Sequence, residues 1–149
     1  MSYDIELRLP ESAHLSLTAQ DAPEAAERVR QKRTADALLS LNPSFEMFES
    51  ETVIELSDSH GGSGVQISLF SGEGAVSVPY WHEADARKVL EQIARYLRVL
   101  REVGGYAAYD PQTEREVTAE TGYSLDPKTY ALGVSSLKSA TKKPWWQFW

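Results

Sequence analysis

The sequence predicts an α+β domain: a two-layer sandwich with a mainly antiparallel sheet and two main helices on one face, loosely ferredoxin-like. Three observations lead there. Short runs such as "YDIELRL" and "GVQISLF" alternate apolar with polar residues, the period of a half-buried strand. One long segment, "EADARKVLEQIARYLRVLREVG", repeats apolar residues at helical spacing instead. The strand-like runs also come in consecutive groups rather than alternating singly with helices, which favours an antiparallel sheet with its helices on one side.

In chain order, Tyr3, Ile5, Leu7 and Leu9 face one way and Asp4, Glu6 and Arg8 the other, so the chain opens on a strand. "HLSLT" repeats the alternation with Leu15 and Leu17 and reads as a short second strand. "DAPEAAERVRQKRTADALLSL" reads as a helix capped by Asp21, with Glu24 three residues on and Pro23 in the first turn. Its first half is polar, so Leu38, Leu39 and Leu41 are expected to supply its apolar contact, and Asn42-Pro43 ends it. "FEMFE" reads as a short connector whose Phe45, Met47 and Phe48 fill the core.

"ETVIELS", "GVQISLF" and "AVSVPYW" then read as three strands, the last two joined by a hairpin at Ser71 to Gly74. The second helix presents Ala86, Val89, Leu90, Ile93, Tyr96, Leu97, Leu100 and Val103 on one face, with Gly104 placed to end it in a left-handed cap. "YAAY" returns as a strand, and Thr113 to Thr118 pair back on it. Asp110-Pro111-Gln112-Thr113 has the composition of a type I turn. Residues 1–133 are therefore read as one domain, and 134–149 as a linker with an aromatic tail.

Charge and composition narrow the function classes. The chain has 149 residues, enough to bury a core without metal or disulfide staples. It has no cysteine, which removes disulfides, thiolate metal sites and thiol nucleophiles. A net charge of −7 argues against nucleic-acid binding, which needs clustered Lys and Arg. The N-terminus lacks a signal-peptide apolar region, and no apolar run reaches the roughly 20 residues of a membrane span. A cytoplasmic protein without stable membrane insertion is the expectation.

The chemistry-bearing candidates are few. His14, His60 and His82 sit at no metal-ligand spacing, so neither a metal nor another cofactor is expected. The loop "SDSHGGSG" sets His60 beside Asp58 and offers glycine N–H groups to an anion, but phosphate-loop and hydrolase-elbow motifs are absent. A small hydrolase-like enzyme using His60 with Asp58 or Asp110 is the enzymatic alternative, and it requires those groups to converge. No catalytic residue is assigned.

Two features point to a binding surface instead. From Leu41 to His60 the chain carries Glu46, Glu49, Glu51, Glu55 and Asp58 with no Lys or Arg. Such a run can steer a basic partner or simply solvate the surface. At the C-terminus Trp145, Trp146, Phe148 and Trp149 follow Lys142 and Lys143. Leaving such side chains in water costs roughly 1.5–3 kcal/mol each relative to burial. The tail therefore calls for cover by its own domain, a homodimer, a protein partner or a lipid surface.

"MSYD", "PYWH" before the long helix, "GGYAAYDPQT" after it and "KPWW" near the end together resemble a group of small bacterial proteins. That group is similar to immunity-type proteins encoded beside secreted or contact-dependent toxins. The resemblance brings no catalytic set. It implies a non-enzymatic, cytoplasmic protein-binding domain that covers a toxin. Joined to the charge pattern, the expectation is occlusion of a basic toxin, with the acids of 46–58 steering it and the aromatic groups anchoring it. The third class open to the chain is a self-assembling structural protein.

Overall fold

A computed structural model describes residues 2–10, 23–58, 64–79 and 86–121. Among these residues, seven strands and two long helices follow in order: β1 (Ser2–Arg8), α1 (Pro23–Leu41), β2 (Glu46–Glu49), β3 (Ile54–Ser57), β4 (Gln66–Leu69), β5 (Glu73–Pro79), α2 (Ala86–Glu102), β6 (Ala107–Asp110) and β7 (Arg115–Val117). A 3₁₀ turn, Ala119–Thr121, follows β7. The "HLSLT" segment and the Asp21 cap lie outside the described residues.

The strands form one sheet in the order β2-β3-β4-β5-β1-β6-β7, every neighbouring pair antiparallel. β1 lies between β5 and β6, and α2 carries the chain from one of these flanking strands to the other. That split crossover is the ferredoxin-like element. The β2–β3 hairpin and β7 extend the sheet on both sides, so the likeness stays loose.

Directly paired residues of antiparallel strands share a face, and the register therefore sorts every side chain. One face carries Tyr3, Ile5 and Leu7 of β1 opposite Val78, Val76 and Gly74 of β5. It continues through Ile67 and Leu69, Leu56 and Ile54, and Ala108. Nearly all of these are buried, and with Ala35 and Leu38 of α1 and Val89, Leu90, Ile93, Tyr96, Leu97 and Leu100 of α2 they form one core. Both helices lie on this face and touch one another. Burying each large apolar side chain here contributes roughly 1.5–3 kcal/mol.

α1 differs from the expectation in one respect. Leu41 is 42% exposed, and the buried stripe runs Glu27, Gln31, Thr34, Ala35 and Leu38, polar in its first half. Polar groups fill that half because they have partners: Glu27 accepts from the Gly72 N–H at 3.0 Å, and Thr34 Oγ1 donates to the Arg30 carbonyl at 2.7 Å. Glu27 thereby pins the β4–β5 hairpin, whose tip also accepts from the Leu9 N–H at 3.0 Å. Gly72 sits there at φ +79°, in the left-handed region.

α2 ends three residues before its left-handed cap. Gly105, at φ 74°, donates to the Arg101 carbonyl, the 5→1 bond of an αL cap, and the Tyr106 N–H reaches further back to the Leu100 carbonyl. The left-handed residue is thus Gly105 rather than Gly104. Gly104 is needed for room instead: a Cβ there would stand 2.7 Å from Tyr106 Cδ2 and 2.8 Å from Thr34 Oγ1. Val103, expected on the apolar face, is 36% exposed because it falls in this turn.

"FEMFE" is also corrected. Phe45 is buried against Tyr96, ring centroids 5.2 Å apart. Met47 and Phe48 belong instead to an edge strand and are 45% and 61% exposed.

Candidate protein-binding surface

The face of the sheet opposite the helices is built by the alternate residues of every strand. β1 contributes Asp4, Glu6 and Arg8, opposite Ser77, Ala75 and Glu73 of β5. Gln66 and Ser68 of β4 adjoin Ser57 and Glu55 of β3, which adjoin Glu46 and Phe48 of β2. On the other side lie Ala107 and Tyr109, with Glu116 of β7. Among the described residues this face holds six carboxylates, Asp4, Glu6, Glu46, Glu55, Glu73 and Glu116, and one cation, Arg8.

Arg8 is already engaged. It donates to Glu6 at 2.5 Å and lies 5.3 Å from the centre of the Tyr109 ring. Asp4 accepts from Ser77 Oγ at 2.7 Å. The helices carry the opposite balance: Arg28, Arg30, Lys32, Arg33, Arg87, Lys88, Arg95, Arg98 and Arg101 against Glu24, Glu27, Asp36, Glu91 and Glu102. A surface shaped only for solubility intersperses both signs. Here the signs separate by layer.

The expected run from Glu46 to Asp58 does not form one patch. Glu46 and Glu55 lie on the open face, because they pair with Ser57 and Ser68. Glu51 is exposed in the β2–β3 turn. Glu49 points to the helix side, where it meets Arg28 Nη2 at 2.7 Å and Lys32 Nζ at 3.3 Å. The hydrogen bond from Lys32, joined by Arg28, holds its carboxyl below the usual range.

Asp58 is only 2% exposed, which removes it from any contact surface in this conformation. It follows Ser57 and therefore turns toward the helices, accepting from Asn42 Nδ2 at 3.3 Å and Ser44 Oγ at 3.2 Å. The same Asn42 amide donates to the Tyr96 hydroxyl at 2.9 Å, as does Gln92 Nε2 at 2.5 Å. Burial raises the Tyr96 phenol above its ordinary value. This network ties the end of α1 to β3 and α2.

Asp110 settles the role of the "YDPQT" segment, which is a turn. It ends β6, and residues 111–114 form the loop to β7, with Glu114 at φ 55°. One carboxylate oxygen accepts from the Gln112 N–H at 2.9 Å and the other from the Tyr3 hydroxyl, which buries the group to 2% exposure. Asp58 and Asp110 are separated by the width from β3 to β6, four strand spacings or about 19 Å. They do not share a site. His60 lies outside the described residues, as do Trp145, Trp146, Phe148 and Trp149.

Two further features complete the inventory. A cleft of about 280 Å³ opens between the end of α2, β6, β7 and the 3₁₀ turn, lined by Leu97, Tyr106, Ala108 and Val117, with Arg101 and Glu120 on its rim. Among the described residues no group of three or more His, Asp or Glu side chains could hold a metal, and no helix is long and apolar enough to cross a membrane. Comparison with protein-family models, with curated proteins and with solved structures found no match, so the functional reading rests on this chain's own residues.

Proposed function

We propose that this chain is a protein-binding domain that occludes a basic partner on the open face of its sheet, in the manner of an immunity protein acting on a toxin in the cytoplasm. One observation carries the reading. The molecule separates its charges by layer, so its acidity concentrates on the face that the two helices leave uncovered. Such a face raises the encounter rate with a cationic surface and orients it before contact. Phe48, 61% exposed on that face, supplies apolar area beside Glu55. The tail aromatics Trp145, Trp146, Phe148 and Trp149 are the proposed anchors.

The test uses the purified chain with the basic protein encoded beside its gene. Association should be salt-sensitive and stoichiometric. Glu6→Lys with Glu55→Lys should lower the association rate by about tenfold or more at low salt. Asp36→Lys with Glu91→Lys, on the helix side, should leave the rate within about twofold. A chain ending at Lys143 should dissociate faster if the tail anchors. Equal effects from the two pairs would overturn the assignment of the face. Concentration-dependent self-association at low salt, abolished by either pair, would instead indicate stacking of the acidic face on the helix layer of another copy.

A further inference from the structure

At the free border of the sheet lies β2, whose outer side is paired with no strand among the described residues. Its hydrogen-bond phase can be read from the turn that follows. Ser50 N–H donates to the Val53 carbonyl at 2.9 Å, so Ser50 and Val53 are a hydrogen-bonded pair. Such pairs alternate along an antiparallel ladder. Phe48 opposite Glu55 and Glu46 opposite Ser57 are therefore also of the bonded kind. On the other side of β3 the phase agrees, since Asp58 N–H donates to the Val65 carbonyl.

It follows that Glu46 and Phe48 direct their backbone groups inward to β3, while Met47 and Glu49 direct theirs off the edge of the sheet. The side chains sort oppositely. Glu46 and Phe48 stand on the open acidic face beside Glu55, and Met47 and Glu49 on the helix side. Glu49 is matched there by Arg28 and Lys32, which leaves Met47 as an apolar contact, 45% exposed.

From this geometry we infer that β2 is a docking edge, taking an extended segment of the partner as an eighth strand. The inference rests on the proposed function and specifies how its partner binds. A segment that fits alternates cationic residues, facing Glu46 and Glu55, with apolar residues, facing Met47. Main-chain bonds to Met47 and Glu49 supply affinity, and the alternate side chains supply selection. A second copy is a poorer occupant. Pairing β2 with β2 brings two acidic open faces, each carrying Glu46 and Glu55, together on one side of the joined sheet, where like charges repel. At the opposite border β7 has only three residues and offers a shorter template.

The experiment titrates the full chain with a short capped peptide alternating lysine and valine, and follows backbone amides by NMR. The expected result is tighter binding than for a glutamate–valine peptide, with new exchange protection at the Met47 and Glu49 amides. Met47→Pro removes an outward donor without touching the β2–β3 bonds, a position where an edge strand tolerates proline. It should weaken binding by about tenfold, whereas Met47→Ala, which keeps the donor, should cost less than about threefold. If a folded Met47→Pro chain binds as tightly as the parent, strand addition is overturned and the charge reading stands. If the lysine peptide binds no better than the glutamate one, both fall. Should Met47→Pro fail to fold, a peptide N-methylated at its valines replaces it: lost binding supports the edge, and retained binding overturns it.

Discussion

Two buried tyrosines make the same substitution act with opposite sign. Tyr3 is fully buried and its hydroxyl donates to the Asp110 carboxylate. Tyr106 is 1% exposed, and its hydroxyl has no hydrogen-bond partner among the described residues. Replacing either by Phe deletes one oxygen and leaves the ring. At Tyr3 the change removes a bond to a charged acceptor, worth about 1.5–3 kcal/mol, and leaves Asp110 with the Gln112 N–H alone in a buried site. At Tyr106 it removes only a desolvated hydroxyl, whose unpaired burial costs about 1–3 kcal/mol, so Tyr106→Phe should be neutral or stabilising by about 1 kcal/mol. Urea denaturation of both variants and the parent measures the difference, with equal m-values certifying that the same transition is compared. The midpoint should fall for Tyr3→Phe and hold or rise for Tyr106→Phe. Losses of equal size would refute the reasoning that partners, rather than burial alone, decide the cost.

The same tyrosine predicts an alkaline transition. Burial, with Glu27 nearby, pushes the Tyr106 phenol up to about 12, against about 10 in an unfolded chain. Below pH ~10 both states hold the proton and stability is unaffected; between about 10 and 12 the unfolded state releases it first, so stability falls by roughly 2–3 kcal/mol. Tyr96, also raised, adds to the decline, and denaturant melts of Tyr106→Phe should show a shallower one. Gly104→Ala, whose Cβ meets atoms at 2.7 to 2.8 Å, should cost about 1–3 kcal/mol in urea melts. Gly72→Ala meets nothing within 4 Å but sits at φ +79°, and should cost only about 1 kcal/mol. Asp58→Ala should destabilise by about 1–3 kcal/mol, because Asn42 and Ser44 lose their shared acceptor, with thermal melting as the readout.

Periodicity made much of this architecture legible. Tyr3, Ile5 and Leu7 announced β1, an interior strand, and Val89 to Leu100 announced the second helix, because both segments bury apolar residues at the period of their own geometry. The elements that escaped do otherwise. "EMFE" carries glutamates at both ends of an edge strand and exposes all four residues, so no apolar period marks it. Gly105 rather than Gly104 caps α2, and adjacent glycines cannot be told apart until the close approach of Thr34 is known.

The candidate surface was legible only in part. Asp4 and Glu6 were visible as the polar side of β1, and Glu46 and Glu55 as members of an acidic run. That these four share a face depends on the pairing of five strands, a long-range fact that no local pattern carries. Proximity in sequence also grouped Asp58 and Glu49 with them. Strand alternation turns both toward the helices, where Asn42 and Ser44 claim one and Arg28 and Lys32 the other.

The most direct test of the central claim is a map of where a cation-rich polypeptide touches this chain. Amide chemical shifts should be followed while the lysine–valine peptide is added at low salt. Binding on the open face predicts that the shifts gather at Asp4, Glu6, Met47, Glu55 and Ser77, leave the exposed side of α1 and α2 unchanged, and shrink as salt is raised. Shifts centred on the helices, or spread evenly over both layers, would contradict it.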